Sequence, residues 1–234
     1  GPAGLYTSTL FRYRAPLLDQ LSNAIELGRS FVRPEYQREY APLLLLWKGI
    51  GRIVATHPRY RCLFGPVSIS NTYQSLTKRL LVAFLRMNRS LPNLGRLVEP
   101  RNAPRFARAD AWADALATSA ARDADDVDEL VAEIEHDRLT MPVLLRQYLK
   151  LNAKLLGFNT DPAFGDVLDA LMLVDLTQVS RAVLARYMGR EGAERFLAGY
   201  DAGTSSLRQG QLPRESASNH SNVESITARE PARS

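Results

Sequence analysis

The stretch Ile25–Arg52, IELGRSFVRPEYQREYAPLLLLWKGIGR, decides the fold. Its first residues belong to the apolar run Ala24–Val32, which predicts a β-strand that ends before Pro34. A loop follows, and Pro42 suits the first turn of a helix. Apolar residues then recur at helical spacing and predict a helix over residues 43–56. A strand followed by a loop and a helix is typical of an α/β protein.

The rest of the chain continues this alternation. Residues 60–70, YRCLFGPVSIS, predict a second buried strand with a bulge or bend at Gly65-Pro66. An amphipathic helix is predicted over residues 72–88. The remaining predicted elements are a surface connection over 92–125, an acidic helix over 126–137, a helix over 142–156, a buried strand over 166–176 and two short helices over 178–199. The predicted fold class is α/β, with a mixed sheet flanked by helices.

Composition and charge bound the class of protein. The 234 residues are 45% apolar and carry a formal net charge of +5, which favours an anionic partner without choosing one. We expect one domain over residues 1–200 and a disordered polar tail over residues 201–234. The single cysteine, Cys62, lies in an apolar run and is interpreted as a core residue.

Location and several chemical classes can also be predicted from the sequence. No apolar run approaches the ~20 residues that span a bilayer, and we expect a cytoplasmic protein that can associate with the inner face of the membrane. The chain begins Gly-Pro-Ala-Gly, and we expect upstream residues to be missing. His57, His136 and His220 are far apart, so no metal site is expected. No nucleophile elbow and no phosphate-binding P-loop occur.

Glu26 and Arg29 are the first candidates for chemistry. On a regular strand, two residues three apart point to opposite faces. A bulge at Gly28 would bring the two side chains together and open a cleft beside the strand. A carboxylate and a guanidinium at such a cleft can hold each other and a reactant. A surface salt bridge, or two unrelated side chains, is the alternative interpretation.

The loop after this strand resembles the donor-binding segment of GNAT-fold acyltransferases. Val32, Pro34, Tyr36 and Gln37 match that segment. The two glycines whose amides usually cradle the pyrophosphate of coenzyme A are replaced by Tyr40 and Pro42. Proline has no amide donor. The resemblance therefore implies a donor thioester carried on acyl carrier protein.

Longer blocks resemble the ornithine N-acyltransferase and hemolysin-like branch of the GNAT superfamily. They are ELGRSFVRPEYQ, LLLLWKGIGR, YRCLFGPVSISN and MPVLLRQYLKLNAKLLGFNTDPAFGDVLDALMLVDL, within roughly residues 4–200. The chain is more distantly similar to acyl-homoserine-lactone synthases, which carry Glu-x-x-Arg on the corresponding strand. The resemblance implies a GNAT-like sheet that lacks its first strands here. It also implies transfer of a 3-hydroxyacyl group from acyl carrier protein to the α-amine of ornithine, giving lyso-ornithine lipid.

This resemblance assigns roles to particular residues. Glu26 would take the amine proton through a water molecule, and Arg29 would orient Glu26 or the carboxylate of the acceptor. The backbone amides of Phe31 and Val32 would polarise the thioester carbonyl. The other expected donor-binding residues are Tyr36, Gln37, Ser70, Asn71 and Tyr73. For Ser70 and Tyr73, a helix N-cap and a packed ring are the alternative interpretations.

Basic side chains are expected to dock the acidic carrier protein or anionic lipid headgroups. Arg146, Lys150 and Lys154 form a row at helical spacing in the predicted helix 142–156. Lys48 and Arg52 add to them on the predicted helix 43–56. A solvated helix face is the alternative.

No resident cofactor is expected, because the acyl-phosphopantetheine of the carrier protein serves as co-substrate. Three other functions stay open at this stage. The chain is alternatively a catalytically impaired GNAT-like module that binds carrier protein or membrane. It is alternatively an acyltransferase for another amino acid, or a homoserine lactone synthase. A nucleic-acid role is disfavoured, because the basic residues are not interleaved with exposed aromatic residues.

Overall fold

The computed structural model describes residues 4–28, 33–36, 40–105, 115, 119, 121, 123–136 and 138–201. Four of the predicted site residues lie outside this part of the chain, namely Arg29, Phe31, Val32 and Gln37. The predicted tail lies outside it from residue 202 onward.

The centre of the fold is a four-stranded mixed sheet. Its strands are β2 (Ala24–Glu26), β3 (Cys62–Ile69), β5 (Lys154–Asp161) and β6 (Val167–Asp175). Their order in the sheet is β2-β3-β6-β5, with β2 parallel to β3 and the other neighbours antiparallel. Two short strands, β1 (Phe11–Tyr13) and β4 (Val98–Pro100), form a separate antiparallel pair. The α/β class with a mixed sheet is confirmed.

Helices surround this sheet. They are α1 (Ala15–Gln20), α2 (Tyr40–Thr56), α3 (Ser75–Arg89), α4 (Pro92–Gly95), α5 (Ala124–Ile134), α6 (Val143–Lys150), α7 (Arg181–Met188) and α8 (Arg190–Asp201). Within the described ranges, none of them is long and apolar enough to cross a membrane.

Each face of the sheet covers its own core. Because side chains alternate along a strand, Leu63, Val67 and Ile69 of β3 join the larger core, which α2, α3 and α5–α8 cover. Cys62 and Phe64 point the other way, into a smaller core formed with α1, β1, α4 and β4. The polar side chains of the sheet described below follow the same alternation.

The pairing of β2 with β3 ends at Gly65 and Pro66. The Leu27 amide donates to the Phe64 carbonyl at 2.7 Å, and the next parallel ladder bond would need a donor at position 66. Pro66 has no N–H. Gly65 lets the two backbones approach closely, because a Cβ there would overlap the Leu27 carbonyl oxygen. Among the described residues, β3 is therefore paired on both sides only in its first half.

A bulge, one of the two features predicted at Gly65-Pro66, does not occur in the pairing of β3 with β6. Strand β3 pairs with β6 from Cys62 to Ile69 in one unbroken register. Pro66 is accommodated in this strand because it faces the edge that β2 has left. The register shift in this sheet lies instead in β5, between Leu155 and Gly157.

The helix predicted over 142–156 is wrong in its second half. Helix α6 ends at Lys150, because Asn152 adopts the left-handed conformation (φ 57°) and the Ala153 amide bonds back to the Tyr148 carbonyl. Lys154 begins β5. The predicted row of Arg146, Lys150 and Lys154 on one helix face therefore does not exist.

Gly51 allows a close contact between helices. A Cβ at this position would lie 2.6 Å from the Tyr187 carbonyl oxygen on α7, whereas a Cβ at Gly49 would meet nothing within 4 Å. The sequence predicts close helix-to-sheet packing for these two glycines. The structure places the close contact at Gly51 alone, and against a helix.

Candidate active site

Glu26 ends β2 with its carboxylate fixed by the chain near the N-terminus. The Tyr6 amide donates to Oε2 at 2.9 Å, and the Thr7 amide and hydroxyl donate to Oε1 at 2.7 and 2.5 Å. Thr7 is fully buried and Glu26 is half-buried. The carboxylate therefore joins β2 to the 3₁₀ turn Tyr6–Thr9 and keeps its remaining acceptor capacity mainly on Oε2. Its predicted role as a base stays a prediction.

Gly28 lies against the same turn. A Cβ at Gly28 would stand 3.0 Å from the ring of Tyr6, so the glycine permits this aromatic contact. Strand β2 ends at Glu26, two residues before Gly28. The predicted pairing of Glu26 with Arg29 lies outside the described residues.

A cavity of about 540 Å³ opens where β2 leaves β3. Leu27 and Pro66 flank it at the point of divergence, and Ser68 follows along the open edge of β3. The other lining residues are Tyr6, Leu46, Trp47, Ile50, Leu144, Tyr148, Asp161, Phe164 and Asp169. Its volume lies within the range of about 300–1,000 Å³ that is usual for small-molecule sites. A cavity is thus present beside the first strand, at the point where Pro66 offers β2 no donor, and no bulge at Gly28 is needed to describe it.

The wall of the cavity formed by α2 and α6 is aromatic and aliphatic. The rings of Trp47 and Tyr148 meet edge to face with centroids 5.5 Å apart. Trp47 Nε1 is buried without a hydrogen-bond partner, and burial raises the pKa of Tyr148. Such a wall suits an alkyl chain.

A polar row crosses the opposite side of the cavity. Ser68, Asp169 and Asn159 lie directly opposite one another on β3, β6 and β5. The Ser68 hydroxyl donates to Asp169 Oδ1 at 2.6 Å. Ser68 is exposed, whereas Asp169 is only 2% exposed and its Oδ2 is buried without a partner. Asn159 has local partners, since its side-chain carbonyl accepts from the Asn102 amide and its amino group donates to the Thr160 carbonyl.

Burial makes the Asp169 carboxyl a weaker acid than an ordinary aspartate. Desolvation raises the pKa of Asp169 from 3.8 to about 6, the hydrogen bond from Ser68 opposes this, and the charge of Asp161 adds to it. Perturbed carboxyls in a cavity are frequent at functional sites. Sequence reasoning missed this residue, since DVLDALMLVDL was interpreted only as a buried strand. An aspartate among seven consecutive buried positions of β6 was the available signal.

The predicted donor residues Ser70, Asn71 and Tyr73 all have partners within the protein. Ser70 Oγ accepts from the amide and hydroxyl of Thr72, and α3 begins later, at Ser75, so Ser70 is not the N-cap. Asn71 donates to the Gly165 carbonyl at 2.5 Å. The Tyr73 hydroxyl donates to the Thr140 carbonyl at 2.7 Å. These bonds brace the loop between β3 and α3, and donor binding by the three residues stays a prediction.

Two further residues from the sequence analysis have clear surroundings. Tyr36 is 47% exposed at the end of a 3₁₀ turn, Pro34–Tyr36. Cys62 is buried in the smaller core, and burial raises the pKa of its thiol to about 12. A thiol with this pKa is a poor nucleophile at neutral pH, in agreement with a core role.

The basic residues expected to dock a partner fall into separate places. Lys48 and Arg52 are exposed one turn apart on α2, beside the exposed Leu45 and Ile53. Arg146 forms an ion pair with Asp128 at 2.5 Å. Lys150 is exposed at the end of α6, and Lys154 donates to Asn152 Oδ1. Of the five expected docking residues, Lys48 and Arg52 are the two that lie exposed on the same face of one helix, and their docking role stays a prediction.

The described residues include no cluster of side chains suited to binding a metal ion. No group of three or more His, Cys, Asp or Glu side chains there is arranged to hold a metal ion.

Parts of this chain are similar in sequence to known proteins. Residues 1–48 match the family model described as Acetyltransferase (GNAT) domain, which includes β2 and Glu26. The chain is similar to a Glycine N(alpha)-acyltransferase of Bacteroides thetaiotaomicron, with 28% identity over 186 residues, covering 75% of this chain and 54% of the relative. It is also similar to a Glycine N(alpha)-acyltransferase of Phocaeicola vulgatus, with 24% identity over 188 residues, covering 76% of this chain and 57% of the relative. No solved structure matches the chain significantly.

The family match covers residues 1–48 alone, and both curated relatives are named as N-acyltransferases. The chain spans about half the length of the curated relatives it matches. The ornithine-specific and carrier-protein-specific features expected from the sequence are not part of what these comparisons show.

Proposed function

We propose that the protein is an N-acyltransferase that moves an acyl group from a thioester to the α-amine of an amino acid. The observation that carries this proposal is the cavity between the diverging strands, with an aromatic and aliphatic wall on one side and Ser68 with Asp169 on the other. An alkyl chain suits the first side, and an amine suits the second. The GNAT match over residues 1–48 supports the reaction class.

The reaction needs a neutral amine, a polarised thioester carbonyl and a proton for the leaving thiol. Direct attack by the amine is the proposed route. Within the described residues, the one cysteine is buried in the smaller core, and no histidine lines the cavity. The role of Glu26 as the base stays a prediction: its carboxylate accepts the amide of Tyr6, and Tyr6 lines the cavity.

Acyl carrier protein is the proposed donor. Tyr40 and Pro42, in the first turn of α2, stand where a coenzyme A pyrophosphate site has glycines. The exposed cations Lys48 and Arg52 lie on the same helix that walls the cavity and suit an acidic carrier. If the donor docks there, Lys48→Glu with Arg52→Glu raises KM for acyl carrier protein at low salt. Arg96→Glu, at an exposed position directly after α4 and outside the predicted docking residues, serves as the control and leaves KM unchanged.

Glycine and ornithine are the two proposed acceptors. The similar curated proteins are named for glycine, whereas the sequence blocks resemble the ornithine branch. Both acceptors present an α-amine beside a carboxylate, so the reaction is the same.

The test is acyl transfer by the full-length protein. Acyl carrier protein and coenzyme A thioesters are supplied with glycine, ornithine or other amino acids, and the products are measured by mass spectrometry. We expect an N-acyl amino acid with the carrier-protein donor. No N-acyl product with any amino acid would contradict the function and favour a binding module.

A matched pair of variants tests the cavity itself. Ile50 lines the cavity, whereas Ile53 is one turn away on the outer side of α2 and 52% exposed. Ile50→Trp should shorten the longest acyl chain transferred, and Ile53→Trp should not. Equal chain-length profiles for both variants would place the acyl chain elsewhere.

A further inference from the structure

The pair formed by Ser68 and Asp169 has an arrangement that the fold itself does not require. The two residues face each other across β3 and β6, and the hydroxyl donates to the carboxylate at 2.6 Å. Ser68 faces the open cavity, and Asp169 lies behind it, 2% exposed.

Neighbouring aspartates show what a structural carboxylate looks like in this sheet. Asp161 accepts the Ala163 amide at 3.0 Å and caps a 3₁₀ turn. Asp175, at the far end of β6, accepts the amide and hydroxyl of Thr177 at 3.0 and 2.6 Å. Asp169 caps nothing, accepts one hydroxyl bond and leaves Oδ2 buried without a partner. A buried unpaired carboxylate oxygen costs stability, which points to a use outside the fold.

We propose that Ser68 and Asp169 form a proton relay, in which the Ser68 hydroxyl takes a proton from the acceptor's ammonium group and passes its own to Asp169. This inference rests on the proposed function. Ser68 would be the catalytic residue, because it touches the acceptor. Asp169 would act through Ser68 as the proton store.

The relay accounts for every proton of the transfer. The ammonium nitrogen loses one proton to Ser68 Oγ as the serine proton moves to Asp169 Oδ1. The neutral nitrogen then forms a bond to the thioester carbonyl carbon, and the carbon–sulfur bond breaks. A second proton from the nitrogen goes to the leaving thiolate. Asp169 finally returns its proton to water through Ser68, leaving an amide, a thiol and one proton.

The groups around Asp169 suit a base near neutral pH. Ser68 faces it from β3, and Asn159 and Asp161 face it from β5. Tyr6 and Tyr148 line the same cavity. Burial and the charge of Asp161 raise the pKa of Asp169 to about 6, so the carboxylate is ionised at pH 7.5 and can accept a proton.

The experiment uses four variants of the full-length protein with acyl carrier protein thioester and glycine or ornithine. We expect Asp169→Asn and Ser68→Ala to lower kcat by about 100-fold or more, with KM for the donor unchanged. Ser68→Thr keeps a hydroxyl on the strand and should stay within about tenfold of wild type. Asp175→Asn, on the same strand but outside the cavity, should stay within about threefold.

The pH profile separates the relay from a structural role. For wild type, kcat/KM should fall below about pH 6 as Asp169 becomes protonated, and Asp169→Asn should lack this limb. Melting temperatures identify any variant that loses activity by unfolding. Intact-mass measurement with the donor alone should find no acyl group on Ser68.

Each remaining outcome contradicts either the relay or the proposed function. If wild type makes an N-acyl amino acid and both relay variants keep its rate and pH profile, the relay is wrong and the proposed function survives. An acylated Ser68 would replace the relay with a covalent route. If wild type transfers no acyl group to any amine, the proposed function fails, and the relay fails with it.

Discussion

The two halves of β3 have different neighbours. Cys62–Phe64 is paired with β2 on one side and β6 on the other, whereas Gly65–Ile69 is paired with β6 alone among the described residues. Beside the first half, the Glu26 carboxylate accepts three hydrogen bonds. Beside the second half, Asp169 accepts one bond and keeps one oxygen unpaired. Loss of a single ladder donor at Pro66 thus separates a structural half from a half that borders a cavity.

The largest expected effect comes from Gly65, where the two halves meet. Gly65→Ala would force a Cβ into the Leu27 carbonyl oxygen, which is backbone and cannot move aside cheaply. We expect a loss of about 3 kcal/mol in the free energy of unfolding, measured by chemical denaturation. Gly49→Ala is the matched control, because a Cβ there meets nothing and alanine favours a helix by about 1 kcal/mol. Wild-type stability in Gly65→Ala would contradict the close approach of the strands.

The next largest effect on the free energy of unfolding is expected at Glu26, beside the first half of β3. Glu26→Gln would place an amide N–H₂ among the three donors that now point at the carboxylate. We expect a loss of about 1–3 kcal/mol in the free energy of unfolding, because a donor is left facing donors. Thermal denaturation measures it.

The same variant also tests the predicted catalytic role of Glu26. If the folded fraction of Glu26→Gln keeps turnover within about threefold of wild type, the base assignment for Glu26 is wrong, because a positioned base contributes ~10²-fold or more. A larger loss of turnover in folded protein would support the base assignment for Glu26 and count against Ser68 as the group that takes the same proton.

Beside the second half of β3, Gly65–Ile69, a substitution is expected to raise the free energy of unfolding and not to lower it. The pKa of Asp169 is raised from 3.8 to about 6, so its ionised form disfavours the folded state. This penalty is complete above about pH 6 and vanishes below about pH 4. Asp169→Asn removes the charge and should raise the free energy of unfolding by about 1–2 kcal/mol at pH 7.5, allowing for partial solvent screening.

Melting temperatures measured at two pH values check this sign. Asp169→Asn should melt roughly 2–6 °C above wild type at pH 7.5 and close to wild type at pH 4. Asp175→Asn, which would lose part of a turn-capping contact with Thr177, should show no such gain. A lower melting temperature for Asp169→Asn at pH 7.5 would mean that Asp169 stabilises the fold.

Sequence patterns located the long elements well, because their signals are local. The apolar repeat of α2 and the buried run of β6 needed no information from elsewhere in the chain. Strand β5 was missed because Tyr148, Leu151 and Leu155 keep helical spacing across Asn152, whose left-handed backbone ends the helix. Strands β1 and β4 have three residues each and exist through their mutual pairing, which no local pattern records.

The candidate site shows the same division. Glu26 was predicted because it lies three residues before Arg29 in an apolar run that leads into a recognisable loop, and its role stays a prediction. Asp169 was missed because its neighbours in the sequence are apolar, and its importance comes from Ser68, which is 101 residues away. The cavity lies where β2 leaves β3, and that divergence could not be predicted from a local pattern. The missing N–H of Pro66 did indicate where the pairing must stop.

The smallest expected effect on stability comes from restoring that donor. Pro66→Ala gives position 66 an amide that can bond to the Leu27 carbonyl and extend the pairing by one step. The new bond and the lost rigidity of proline should nearly cancel, leaving stability within about 1 kcal/mol of wild type. Hydrogen exchange should show protection of the new amide, and acyl transfer should fall because the cavity narrows. Pro58→Ala, in an exposed turn after α2, controls for losing a proline. Rapid exchange at position 66 together with unchanged transfer would show that the absent donor does not hold the two strands apart.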